Sequence, residues 1–398
     1  CNDKDVTRVL TARKIAYKTS IAKYAAMLNC LCKDGSAKGL YRFYGANRTG
    51  RWAGRIVQQQ NLPQNHLEEL ERVREDVKNM DLDELMMFYD NVPSILSQLI
   101  RTAFIARDSY IFRVADFSAI EARVIAVLAN ETWRIETFRR GGDIYVTSAA
   151  RTFNMKESEC GKGTPYRQQG KVTELALGYG GWVGAIKTMD RDGAIPEENI
   201  KNIILKWRDA SPKIVSLWHI LEDSAKRAIL AKRDVPVDID GKIICHFYWI
   251  PQYRTLALRL PSGRSLHYPY ASIKKKVIRY DNVDSKEIES IHYMGLDQTS
   301  GKWVELDTYG GKLTENLVQA VSRDLLASAM RNVLSISDDG EVGIVGHIHD
   351  ELITECLEDS DITLDDVCIA MSILPDWAKP FDIPLRAEGF NSYFYKKD

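Results

Sequence analysis

Apolar positions recur with different periods along the chain and divide it into predicted elements. Over the first thirty residues Val9, Leu10, Ala16, Ile21 and Tyr24 alternate with Arg8, Arg13, Lys14, Lys18 and Lys23, the pattern of an amphipathic helix with a basic face. Residues 66–100 read as acidic helices, with a break at Asn91-Val92-Pro93. Residues 110–115 form a β-prone run that ends at Asp116, after which Ile120, Val124, Val127 and Leu128 return at helical spacing. A carboxylate thus sits where a strand gives way to a helix. A helix over 165–179 begins near Pro165 and is stopped by Gly178-Tyr179-Gly180-Gly181. Helices continue to about residue 230, and strands with turns at Asp240-Gly241, Pro261-Ser262-Gly263 and Ser300-Gly301 fill 235–310. The pattern then predicts a helix over 316–330, a hairpin of 342–347 and 351–356 around His349-Asp350, and a last helix over 363–376.

A chain of 398 residues exceeds one simple core, so two or three packed subdomains are expected. With 45% apolar and 27% charged residues it is globular, which excludes disordered, collagenous and coiled-coil classes. The formal charge is only −1, so any nucleic-acid site must be a local patch. The segment 41–55, with Arg42, Arg48, Arg51 and Arg55 among Gly and aromatic residues, suits close approach to a polyanion. The seven cysteines are odd in number and scattered, which fits a reducing compartment, and Cys30-x-Cys32 has the wrong spacing for a zinc knuckle. No run approaches the roughly 18 apolar residues of a membrane span.

Three constellations carry candidate chemistry: Asp116 with 117–123, the series Arg167-x3-Lys171-x3-Leu175-x3-Tyr179, and His349-Asp350-Glu351. Singly, each has a plain structural reading as a helix cap, a solvated helical face or a turn. Together they describe a mechanism. Two carboxylates from separate β-elements can hold two Mg²⁺ ions about 4 Å apart and clamp an in-line phosphoryl displacement. Arg167 and Lys171, one helical turn apart, can face a polyphosphate, and Leu175 and Tyr179 extend that stripe as a floor for a base.

The first constellation, Asp116-Phe-Ser-Ala-Ile-Glu-Ala-Arg123, resembles the first motif of the family A (DNA polymerase I type) DNA polymerases. Arg167-Gln-Gln-Gly-Lys171 through Tyr179-Gly180 resembles the second and His349-Asp350-Glu351 the third, all in the family's order. Thr49-Gly-Arg51, Gln60-Asn-Leu-Pro63, Arg101-x-x-Phe104 and Gln319 extend the likeness from about residue 41 to the end.

The resemblance implies a mixed α/β right-hand polymerase with an antiparallel palm sheet and helical fingers. Its expected divisions are a partial thumb over 1–40, palm over 41–130 with a helical insertion at 66–100, fingers over 131–256 and palm again over 257–398. It implies DNA-templated addition of deoxynucleotides to a primer terminus, with two Mg²⁺ (or Mn²⁺) as cofactors. Asp116 and Asp350 would ligate both metals, Phe117 would add its backbone carbonyl and Glu351 an accessory carboxylate. Arg167 and Lys171 would bind the triphosphate, Lys171 acting also as general acid. Tyr179 would stack near the templating base, and Glu121 would exclude a ribose hydroxyl. Arg51, Gln319 and His349 would contact primer–template DNA, with Gln60 and Asn61 in the same surface.

Some positions depart from the family pattern. Leu175 stands where an aromatic residue is usual, Phe117 for Tyr, Ala119 for Gln, and Tyr145 for a His that touches the triphosphate. These variants resemble phage and prophage polymerases, which implies the cytoplasm of a bacterial host. The first forty residues cannot hold a proofreading exonuclease or most of a thumb, and the chain opens on Cys1. A truncated or split polymerase is therefore expected, with thumb and exonuclease on a separate chain. Rival readings are an accessory DNA-binding half, against which Asp116, Asp350 and Lys171 together argue, and a single-subunit RNA polymerase, against which Glu121 and Glu351 argue.

Overall fold

The computed structural model describes residues 22–280, 284–337 and 340–397. The basic helix read over the first thirty residues lies outside the described residues except for its end, α1 (Ala22–Cys30). A hairpin follows, β1 (Tyr41–Ala46) and β2 (Arg51–Gly54), and then α2 (Leu70–Asn79), α3 (Leu82–Phe88) and α4 (Val92–Leu99). Strand β3 (Tyr110–Phe117) leads into α5 (Ile120–Ala129), α6 (Thr132–Arg139), α7 (Ile144–Phe153) and α8 (Pro165–Leu177). Helices α9 (Val183–Met189), α10 (Ile200–Ala210) and α11 (Pro212–Ala231) complete this block. Strands β4 (Val235–Ile239), β5 (Lys242–Ile250), β6 (Thr255–Arg259), β7 (Ser265–Tyr268), β8 (Ser272–Tyr280), β9 (Asp284–Leu296) and β10 (Trp303–Thr308) come next. The long α12 (Gly310–Leu334) returns the chain to the hairpin β11 (Gly343–Ile348) and β12 (Glu351–Leu357), before α13 (Leu364–Met371) and β13 (Ala387–Ser392).

The central sheet runs β11-β12-β3-β13 and is antiparallel at every junction. Strand β3 is covered on both faces, which is why its sequence reads as a nearly continuous apolar run. Phe112 and Val114 join Ile348, Ile353 and Tyr395 on one side. Ala115 and Phe117 join the main core on the other, with Val124 and Leu128 of α5 and Leu317 and Val321 of α12. A second sheet, β4-β5-β6-β7, packs on α11, and β8–β10 form a three-stranded ribbon. The 256/257 boundary expected between subdomains falls inside β6, which pairs with β5 on one edge and β7 on the other.

Two elements differ from the local pattern. The helix read over 316–330 begins six residues earlier, at Gly310. Glycines are poor helix formers, but a Cβ on Gly310 would stand 2.0 Å from the Trp218 carbonyl oxygen, and one on Gly311 2.2 Å from that of Tyr179. Close approach to α11 and to the end of α8 decides these positions. The last helix is shorter than 363–376, ending at Met371 before Pro375. The strand β13 has no clear period in the sequence. Its Gly389 lies so near β3 that a Cβ would be 1.9 Å from the Val114 carbonyl oxygen.

Candidate active site

Three acidic residues stand in register at the end of the central sheet. Asp116 lies on β3, Glu351 opposite it on β12 and Glu388 opposite it on β13, so the three share a row across the sheet. Asp350 precedes Glu351 in the two-residue loop of the β11–β12 hairpin, after His349, whose backbone is left-handed at φ 55°. The loop is tied to β3 by the Phe117 N–H, which donates to the Asp350 carbonyl at 3.2 Å. Asp116 Oδ1 is buried with no hydrogen-bond partner. Burial, and then the charge of Asp116, push the Asp350 carboxyl up to about 7 against the pull of Lys397 and Arg51.

The charge balance comes from the C-terminal segment. Lys397 Nζ lies 3.3 Å from Asp116 Oδ2 and 3.3 Å from Glu351 Oε2. Burial opposes its charge, but Glu351, Asp116 and Asp350 together raise its pKa above the usual lysine value. The other oxygen of Glu351 accepts a hydrogen bond from the Tyr395 hydroxyl at 2.6 Å. Tyr395 accepts in turn from Arg101 Nη1 at 3.1 Å, and Arg101 donates to the carbonyls of Pro63 and Leu62. Both oxygens of Glu351 are therefore engaged within the protein.

Helix α8 presents the second constellation. Thr164 caps it by accepting from the Arg167 N–H at 3.3 Å, and Pro165 opens its first turn. Arg167 is half-buried, held by Asp143 at 2.7 Å and set over the Tyr145 ring at 5.5 Å. Lys171 and Leu175 are exposed on the same stripe. The opposite side of α8 is anchored: buried Glu174 pairs with buried Arg134 and accepts from Ser148 and, at 2.8 Å, from Trp207 Nε1. At Gly170, where a Cβ would stand 2.2 Å from the Tyr145 carbonyl oxygen, α8 crosses α7 closely. Tyr145 connects the stripe to the acids, since burial first, and then Glu174, Asp143 and Asp350, raise its pKa against Arg167.

Glu121, on the first turn of α5, joins two other candidates. It pairs with Arg51 of β2 at 2.5 Å and accepts from the Tyr179 hydroxyl at 2.8 Å. Burial, followed by the Glu121 charge, holds the Tyr179 pKa well above its ordinary value. His349 completes this group: burial, Arg51 and Lys397 depress its pKa while Glu121 and Asp116 oppose them. Other predicted contacts stand farther out. Gln319 is half-buried and donates to Glu315 at 3.3 Å. Gln60 accepts from the Gly54 N–H at 3.0 Å and so braces the β1–β2 hairpin, while Asn61 is exposed. Part of the Arg/aromatic segment 41–55 is engaged within the protein: Arg323 lies 4.3 Å over Trp52 and donates to the Gly50 carbonyl, and Arg264 reaches Tyr44, while Arg42, Phe43 and Arg55 are exposed.

Lys397, Tyr395, Glu388 and the Arg134–Glu174 pair had no signal in the sequence motifs. Lys396-Lys397 reads as an ordinary solvated tail, and only the strand register and the return of the tail beside β3 make it part of the site.

Among the described residues no group of three or more His, Cys, Asp or Glu side chains gathers as a metal cage. The carboxylate pair nevertheless suits a hard cation that keeps waters and substrate phosphates as its remaining ligands. The orphaned Asp116 oxygen and the mutual repulsion of Asp116 and Asp350 are what such a cation would relieve.

Known proteins are similar to this chain in sequence and fold. The model of DNA polymerase family A matches residues 10–232, more than half of the chain. The DNA polymerase of Bacillus phage SP02 is 42% identical over 398 residues, all of this chain and 58% of the relative. The thermostable DNA polymerase I of Thermus aquaticus is 27% identical over 161 residues, 38% of this chain and 19% of that protein. Among solved structures, the POL domain of Pol1 from M. smegmatis, in complex with DNA primer–template and dNTP, superimposes with a TM-score of 0.60. That match has 18% identity and covers 99% of this chain and 56% of the other. The chain therefore belongs to DNA polymerase family A, and its fold is that of a family A polymerase domain, mixed α/β with antiparallel sheets. It spans 58% of the length of the phage relative.

Proposed function

We propose that this chain carries the nucleotidyl-transfer centre of a DNA-templated DNA polymerase, acting in the cytoplasm of a bacterial host. The observation that carries the reading is the convergence of Asp116 and Asp350, with a buried, unpartnered oxygen on Asp116. In this reading the central sheet with α12 is the palm, the helical block from α6 through α11 is the fingers, and α1 belongs to a partial thumb.

Asp116 and Asp350, with the Phe117 carbonyl, would hold two Mg²⁺ ions (or Mn²⁺), which supply charge stabilisation for the displacement. The protein's own groups do the rest. Arg167, oriented by Asp143 and Tyr145, and Lys171 neutralise the triphosphate, and Lys171 hands a proton to the departing pyrophosphate. Leu175 and Tyr179 form the floor beneath the base. Glu121, fixed from two sides by Arg51 and Tyr179, would exclude a ribose 2′-hydroxyl. Arg51, Gln319, His349, Gln60 and Asn61 line the proposed path of primer–template DNA.

Primer extension on a DNA template, with deoxy- or ribonucleotides and Asp350→Ala beside the parent, tests the reading. Extension with deoxynucleotides alone is expected, reduced about 10³-fold or more in the variant, while primer–template binding changes less than about threefold. Equal loss of binding and extension would make Asp350 a structural residue. Ribonucleotide extension would point to an RNA polymerase, and binding without any extension by the parent to an accessory role.

A further inference from the structure

The acidic centre already contains a cation of its own. Lys397 touches one oxygen of Asp116 and one of Glu351, each at 3.3 Å, and its side chain is only a quarter exposed. It is placed rather than trailing. The Ala106 N–H donates to the Tyr393 carbonyl at 2.9 Å, the Tyr395 N–H to the Phe104 carbonyl at 2.8 Å, and the Asn65 N–H to the Lys397 carbonyl at 3.5 Å. Tyr395, fully buried between Arg101 and Glu351, locks the segment two residues away. The lysine divides the carboxylates unequally. Glu351 is saturated by Lys397 and Tyr395, whereas Asp116 is paired through Oδ2 alone and keeps Oδ1 without a partner beside Asp350.

We propose that Lys397 is the built-in counter-cation of this site: by occupying Asp116 Oδ2 and Glu351 Oε2 it sets how tightly Asp116 and Asp350 bind divalent cations. The inference rests on the reading of those two aspartates as the cation-binding pair. A fixed ammonium within about 4 Å of a ligand oxygen competes electrostatically with any incoming cation. It also keeps the carboxylates in place when no cation is bound. Lys397 is thus a positioning residue, and its charge rather than its shape is what matters.

Mn²⁺ titration of the full chain followed by electron paramagnetic resonance tests this directly, without reference to catalysis. Lys397→Gln is expected to bind Mn²⁺ about tenfold more tightly than the parent, while Lys397→Arg, which retains the charge, stays within about twofold. The Mg²⁺ concentration for half-maximal primer extension should fall by a similar factor in Lys397→Gln. Unchanged or weaker Mn²⁺ binding in Lys397→Gln would overturn the proposal, as would Lys397→Arg behaving like Lys397→Gln. Asp116→Asn separates the two layers of inference. If it abolishes Mn²⁺ binding while Lys397→Gln changes nothing, only the role of Lys397 fails. If Asp116→Asn leaves Mn²⁺ binding intact, the reading of the aspartates fails, and the role of Lys397 with it.

Discussion

At the junction of β3 and β12, Glu351 and one oxygen of Asp116 are buried and the two acids share one lysine, whereas on the outer face of α8 Lys171 and Leu175 stand in solvent and Arg167 rests on Asp143 and the Tyr145 ring. The first arrangement costs desolvation and mutual repulsion, visible in the raised Asp350 carboxyl and the orphaned Asp116 oxygen. The second costs little, because an exposed ammonium keeps its water. Charge repulsion is concentrated at the acidic centre and is absent from the outer face of α8. The inner face of α8 shows what keeps the two regions in register. There Glu174 and Arg134 form a buried pair that ties the helix to α6, α7 and α10.

Breaking that anchor should have the largest effect on stability. Glu174→Ala leaves the Arg134 guanidinium buried without its partner and is expected to cost about 3–5 kcal/mol, seen as a lowered Tm in thermal unfolding. If Glu174→Ala unfolds like the parent, the inner face is not the anchor and the contrast between the two faces of α8 collapses.

The acidic centre can be probed through pH. Asp350 has its folded pKa raised from the ordinary carboxylate value to about 7. The folded state therefore holds the proton more strongly than the unfolded chain. The stability this confers is full below about pH 4 and is lost as pH rises through about 7. With divalent cations chelated, Asp350→Asn should gain stability relative to the parent between pH 5 and 8, on the order of 2–4 kcal/mol by the linkage of three pH units discounted for coupling to Asp116. Denaturant unfolding of both proteins across that range checks it, and parallel pH profiles would show that Asp350 is not under charge stress.

Smaller still is the expected change on the exposed face. Lys171→Ala should leave unfolding stability within about 1 kcal/mol of the parent, since a solvated side chain is lost. It should lower both the rate of deoxynucleotide addition and nucleotide affinity, together about 10²-fold in kcat/KM. An equal effect on Tm and kcat/KM would mean that Lys171 serves the fold instead.

Local pattern was sufficient for the strand ending at Asp116, the capped helix carrying Arg167 and Lys171, and the hairpin presenting Asp350. Each depends on residues close in sequence: a β-prone run, a proline near the helix start, a two-residue loop. Those short-range rules also put Asp116, Arg167, Lys171 and Asp350 on these elements, while their combination and the family resemblance singled them out as candidates. They could not reach Lys397, because its neighbours Asp116 and Glu351 lie 281 and 46 positions away along the chain. Nor could they show β13, whose Gly389 weakens any strand signal but lets the backbone press against β3. The start of α12 at Gly310 and the inward turn of Trp52 beneath Arg323 likewise follow from contacts between distant segments. Propensity and period act over a few residues and so name the parts. Register, close approach and the sharing of buried charge act across the whole core, and only the tertiary structure decides which parts face one another.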